Sequence, residues 1–254
     1  MMCHAPHKIF NRTLLFALGL FLFALAVRAT ILCFEPQISR DGMYYYFQAI
    51  GADLEDFPKY GAQAPLFPGI LKAFHHCGIS PLYGGFALNL IVGSLIPVLL
   101  ARIVRELSPS EFWCWGAGML AAVHPNLVDA SIKLERETLY VFFTVLMLLA
   151  LVRGYVPGRP LDFGLAGIAG AAAAATRFEG WEALPMISLL VLIRPLVIGA
   201  EKETRRSSLL GAACFVCGWF LSSALLLAVL RFPAAHYVSL LWSYIAKLQR
   251  FFRG

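Results

Sequence analysis

Three polar stretches break up an otherwise apolar chain, and each holds side chains able to do chemistry. The first is Arg40-Asp41-Gly42-Met43-Tyr44-Tyr45. A carboxylate beside an apolar layer is partly desolvated, which suits Asp41 to general-base work. Asp is also a favoured N-cap, so Asp41 is equally read as the residue that opens the following helix. The second stretch is Ser131-Ile132-Lys133-Leu134-Glu135-Arg136-Glu137. Its acids stand at the start of a helix, where they complement the helix dipole. Glu137 directly abuts the apolar run that begins at Thr138. The third is Thr176-Arg177-Phe178-Glu179-Gly180. An Arg between two apolar helices is a natural phosphate ligand, or else a snorkelling interfacial cation. Arg28 lies near the far end of the first apolar run as a buried charge in need of a partner. His75, His76 and His124 read as structural.

The elements that must position these residues are membrane helices. Of 254 residues, 59% are hydrophobic and 14% charged, too few charges for a water-facing globule. The apolar runs are roughly 20 residues long, the length that crosses a ~30 Å hydrocarbon core. The expected fold is all-α, a polytopic transmembrane bundle of about seven helices with no separate soluble domain. The expected spans are 13–34, 82–101, 112–128, 138–152, 161–176, 181–198 and 207–230. The whole of 1–254 is one integral membrane domain. Lys8 and Arg12 precede a first run too long for a signal-peptide core, so that run is read as retained. The Gly/Ala stretch 164–175 predicts close helix packing.

Loop charges orient the bundle. With the N-terminus in the cytoplasm, the inner segments hold ten basic residues against five acids, and the outer loops before the last helix hold six against ten. That is the positive-inside bias. It explains the net charge of +6 without nucleic acid. It also places Asp41, Glu137 and Arg177 on one outer face. The outer loop 35–81 is rich in aromatics and predicts two interfacial helices, 41–51 and 66–77. The basic, aromatic tail 231–254 predicts a helix on the membrane surface. Cys214 and Cys217 fall inside a helix and read as core, while Cys33 and Cys77 share the outer side, where a disulfide is one option.

A base, a second acid and a cation on one lipid-adjacent face suit transfer of a group from a lipid phosphate to an acceptor. The order of motifs sharpens this: Arg40-Asp41-Gly42-x-Tyr44-Tyr45, Ala64-Pro65-Leu66-Phe67-Pro68, His124-Pro125-Asn126, Glu137-x-Leu139-Tyr140-x-Phe142-Phe143 and Thr176-Arg177-Phe178-Glu179-Gly180. Over about residues 10–230 this resembles the N-terminal membrane module of GT-C glycosyltransferases. The nearest likeness is to the dolichyl-phosphate-mannose protein mannosyltransferase-like and aminoarabinose-transferase-like enzymes of family 39.

The resemblance implies an inverting transfer of sugar from a polyprenyl-phosphate donor on the periplasmic or lumenal face. It implies Asp41 as the catalytic base and a second acid at Glu137, with Glu135 as runner-up. Arg177 is the candidate for the lipid phosphate. Arg28, Arg40, Tyr45, Lys133, Glu135, Arg136 and Glu179 complete the candidate substrate-binding set. No cofactor is certain: some relatives use a divalent metal, but the chain lacks an Asp-x-Asp pair, so no metal ligand is assigned. Expected partners are the polyprenyl-phosphate sugar, membrane lipids and a lipid, glycan or protein acceptor. The expected location is a bacterial inner membrane. Relatives are usually longer, so the chain is expected to be a minimal enzyme, a fragment or a subunit with a partner. The competing readings are a non-catalytic module that binds polyprenyl lipid or scaffolds a partner and, last, a transporter, for which repeats are lacking.

Overall fold

The computed structural model describes residues 6–34, 36–52, 64–199 and 202–230, together with positions 235, 237–239, 241–243 and 245–246. Loop residues 53–63 and most of the tail lie outside the described residues, and with them the expectation of one continuous surface helix over 231–254. Among the described residues the helices run in order: α1 Pro6–Phe34, α2 Arg40–Ile50, α3 Leu66–His76, α4 Pro81–Leu107, α5 Glu111–Val123, α6 Pro125–Ile132, α7 Glu137–Tyr155, α8 Pro160–Thr176, α9 Ala183–Ile198 and α10 Lys202–Val229. A 3-10 turn, Phe178–Glu182, leads into α9. Among the described residues the extended pairing is a single isolated bridge, Gln37 with Lys133.

Among the described residues five segments are long and apolar enough to cross a membrane: Thr13–Phe34, Pro81–Leu107, Glu137–Tyr155, Phe178–Ile198 and Lys202–Val229. Their outer surfaces expose Leu14, Leu15, Leu189, Leu196, Leu221 and Val229. Such a continuous apolar exterior has no stable home in water and a natural one in lipid. The chain is a membrane-embedded helical protein.

One expected span differs. The helix expected over 112–128 is broken at His124, whose backbone is extended (φ −62°, ψ 121°). Pro125 disfavours helical geometry in the residue before it and has no N–H to give to the ladder. The 13 residues of α5 reach only about 20 Å at 1.5 Å per residue. α6 carries the chain on after the break. α8, with 17 residues, is also shorter than a standard span, at about 26 Å.

Local chemistry explains the short helices α2 and α3, which fall within a residue of expectation. Ser39 Oγ accepts the Gly42 N–H at 3.0 Å and caps α2. Gly51 closes it in the left-handed region at φ 71°, a conformation glycine adopts without steric cost. Pro81 starts α4 from N1, where its missing N–H costs no hydrogen bond.

The close packing expected of the Gly/Ala stretch is present. A Cβ on Gly167 would stand 2.1 Å from the Phe215 carbonyl oxygen, and one on Gly218 would stand 2.5 Å from that of Gly164. The backbones of α8 and α10 therefore touch, which only small residues allow. Phe163, Phe215 and Trp219 fill the core around this seam, and Tyr45, Phe67, Leu71, Leu134 and Leu139 form a second core beneath α2 and α3.

Polar contacts tie the connections together at two ends. At one end Arg105 Nη1 donates to Thr13 Oγ1 at 3.0 Å. At that same end of α9, Arg194 donates to the carbonyls of Tyr155 and Val156 and to Ser207 Oγ. The opposite end holds the bridge of Gln37 with Lys133, the Arg177–Glu137 pair, and the bond from Trp181 Nε1 to Tyr237 Oη at 2.9 Å.

Candidate active site at one end of the bundle

The Asp41, Glu137 and Arg177 stretches meet at this second end. Asp41 sits in the first turn of α2, half-buried, and makes no hydrogen bond or ion pair among the described residues. It is not the cap; Ser39 is. Gly42 explains how α2 comes so close to the second stretch. A Cβ there would lie 2.5 Å from the Leu134 carbonyl oxygen. No other residue lets Asp41 ride this near to the loop at 133–136 without a backbone shift.

That loop is held from below by Asn89 of α4. Fully buried, Asn89 donates through Nδ2 to the carbonyls of Lys133 at 2.7 Å and Glu135 at 2.8 Å. It gathers two backbone acceptors that α6 and α7 leave open between them. Asn89 was absent from the sequence-based candidates. A lone Asn in an apolar helix was the signal that could have found it.

Arg177 follows α8 in extended backbone and lies between two carboxylates. Nη1 donates to Glu137 Oε1 at 2.7 Å, while Nη2 and Nε donate to Glu179 Oε1 and Oε2 at 3.2 and 3.3 Å. Its guanidinium carbon lies 5.7 Å from the centre of the Tyr140 ring, within cation–π range. Burial pulls the Arg177 pKa down, but the bonds and charges of Glu179 and Glu137 outweigh it, so the net direction is up. Gly180 lets the turn fold back, since a Cβ there would stand 2.6 Å from the Ala174 nitrogen. The Arg177 fork is thus occupied by two acids within the protein.

Arg136 is different. It is half-buried, its Nε has no hydrogen-bond partner, and it forms no ion pair among the described residues. Its charge is felt at Tyr45, Glu137 and Glu179. Tyr45 is 1% exposed and its hydroxyl also lacks a partner. Burial first, then the charges of Asp41 and Glu137, push the Tyr45 pKa up against the opposing pull of Arg136 and Arg177. Charges from all three stretches thus act on this one buried hydroxyl. Thr138 Oγ1, beside Glu137, is likewise buried without a partner.

The remaining candidates fall outside this cluster or at its rim. Arg40 is exposed at the start of α2. Lys133 Nζ is taken by Asp129 Oδ2 at 2.6 Å, a hydrogen bond and charge that raise the Lys133 pKa. Glu135 is half-buried in the braced loop. Arg28 is fully buried. Its guanidinium donates to Ala24 O at 3.1 Å, Ala122 O at 2.9 Å and Ser131 Oγ at 3.2 Å, with Nη2 unbonded. The partner expected for this charge is the carbonyl end of α5, where the break at His124 leaves acceptors open and the helix dipole is negative. His75, His76 and His124 are exposed, and Cys33 and Cys77 are free thiols.

Among the described residues no three His, Cys, Asp or Glu side chains gather as ligands, and Glu137 and Glu179 are committed to Arg177. Two grooves lie elsewhere, one between α1, α4 and α5 and one along α7 and α8. The cluster forms the rim of this bundle end, with Asp41, Arg136, Glu137, Arg177 and Glu179 all half-buried. Comparison with family models, curated proteins and solved structures finds no match to this chain.

Proposed function

We propose that the chain is a membrane glycosyltransferase that moves a sugar from a polyprenyl-phosphate donor to an acceptor at the rim built by α2, the 133–137 loop and Arg177. One observation carries this reading. Asp41, a half-buried carboxylate with no partner among the described residues, shares the surroundings of the buried Tyr45 with two guanidinium groups from separate connections, Arg136 and Arg177, and Arg136 forms no ion pair among the described residues. That set matches a base for the acceptor and a cation for a leaving phosphate. The resemblance to GT-C enzymes favours the same role for Asp41.

In this reading seven passes cross the membrane: α1, α4, α5 with α6, α7, α8, the 3-10 turn with α9, and α10. The N-terminus is cytoplasmic, the rim periplasmic, and α2 and α3 lie in the interface of a bacterial inner membrane. Asp41 takes the proton from an acceptor hydroxyl or amine as that atom attacks the anomeric carbon. The bond from that carbon to the phosphate oxygen breaks on the opposite side, which inverts the configuration and releases polyprenyl phosphate. Arg136 meets the phosphate charge, with its Nε free for it. Arg177 assists after exchanging one of its carboxylates, and Glu137 and Glu179 hold it in register until then.

A second reading is a non-catalytic module that binds polyprenyl lipid or holds a partner subunit. It is favoured by the double engagement of Arg177. The deciding experiment follows label from a polyprenyl-phosphate sugar pool in membranes holding the protein, its Asp41→Asn variant, or neither. Transfer with the wild-type protein alone supports catalysis. Equal signal in all three, with both proteins inserted, removes the transferase and leaves the binding module.

A further inference from the structure

The opposite end of the bundle carries a second site that the transfer reading does not use. α1, α4 and α5 part there to leave a cleft of about 200 Å³. Its walls are Phe16, Ala17, Val98 and Trp115, and the rings of Phe16 and Trp115 meet edge to face with centroids 3.8 Å apart. Arg102 and Arg105 line the same cleft, one turn apart in the last part of α4.

Both arginines have donors to spare. Arg105 uses Nη1 on Thr13 Oγ1 at 3.0 Å, and its contact with the exposed Glu111 is loose, at 3.7 Å. Arg102 meets Glu106 through Nη2 at 3.0 Å. Each guanidinium has five N–H donors in a planar fork, so both can take a phosphate in addition. In the sequence two further basic residues, Lys8 and Arg12, precede Thr13 of this cleft. A greasy slot beneath paired cations, in a membrane-embedded bundle, has the chemistry of an acyl chain under an anionic headgroup.

We propose that this cleft binds an anionic phospholipid from the leaflet at that end, with an acyl chain against Phe16, Ala17 and Trp115 and the phosphate between Arg102 and Arg105. The apolar walls require the tail, so a free headgroup is not the ligand. The site is independent of the rim at Asp41 and stands whether or not that rim transfers sugar.

The test uses the full chain in detergent, titrated with phosphatidylglycerol or phosphatidylcholine. Bound lipid is read by native mass spectrometry and thermal midpoint by scattering or fluorescence. The wild type should retain phosphatidylglycerol several-fold over phosphatidylcholine and gain midpoint with it alone, because a ligand of the folded state stabilises it. Arg102→Gln breaks only a partly exposed helix-surface pair and should fold. It should lower the preference, and with Arg105→Gln should bring it to parity. Ala17→Phe, which fills the slot, should do the same with both arginines present. Lys72→Gln, at the other end of the bundle, should change nothing. Glycerophosphoglycerol, the headgroup without tails, should fail to compete. Equal retention of the two lipids by the wild type, an undiminished preference in Ala17→Phe, or competition by the bare headgroup would each overturn the proposal.

Discussion

At the scale of single residues, Tyr45 separates a structural role from a functional one. Its buried hydroxyl has no partner, so removing the oxygen relieves an unsatisfied group rather than breaking a bond. Tyr45→Phe is expected to leave the unfolding midpoint unchanged or slightly raised, while transfer falls if the hydroxyl meets substrate. A lowered midpoint in a detergent melt would show a protein partner instead. Asp41→Asn keeps the shape and removes the base. The expected loss is about 10²–10⁴-fold in the rate of transfer, with insertion unchanged. Arg136→Gln is expected to weaken donor binding more than turnover, because the cation that it removes is not engaged by an acid. An equal loss in Lys133→Gln would argue against this, since Lys133 is already paired with Asp129.

At the scale of elements, the site depends on close approach. Gly42→Ala would drive a methyl against the Leu134 carbonyl, a backbone atom that cannot swing aside. The expected cost is about 1–3 kcal/mol by analogy with overpacking, together with displacement of α2 and lost transfer. A wild-type melting point in that variant would mean that α2 is free to lift away. Asn89→Ala leaves two loop carbonyls without their donor, also about 1–3 kcal/mol. Its signature is faster hydrogen exchange over 133–137 with no change at α9. The break between α5 and α6 belongs to the same scale. It opens the carbonyl that Arg28 binds, so a helix interruption and a buried cation satisfy one another.

At the scale of the whole molecule, the two ends make opposite predictions for labelling in sealed cells. A membrane-impermeant maleimide added outside should modify the exposed Cys77 and miss a cysteine placed at Ser108 in a variant stripped of its other thiols. The reverse pattern would invert the orientation, and labelling of both would undo the assignment of passes.

The helices, the two short outer elements and the charge asymmetry were legible in the sequence, because each follows from local properties: run length, aromatic content, Pro and Gly at element ends. The short elements at 40–50 and 66–76 were placed within a residue for that reason. The break at His124 was also written locally, in the residue before Pro125, yet the apolar run on both sides hid it. Which candidates would share the rim was only partly legible, since alternation of loops puts Asp41, Glu137 and Arg177 on one side but does not set their distances. The partners were decided by the tertiary structure alone. Ser39 takes the cap that Asp41 could have taken, Glu137 and Glu179 close on Arg177, Arg136 stays without an ion pair, and Arg28 turns to the end of α5. These pairings join residues from separate connections, and the energy of a hydrogen bond or an ion pair exists only once packing has brought both atoms within reach.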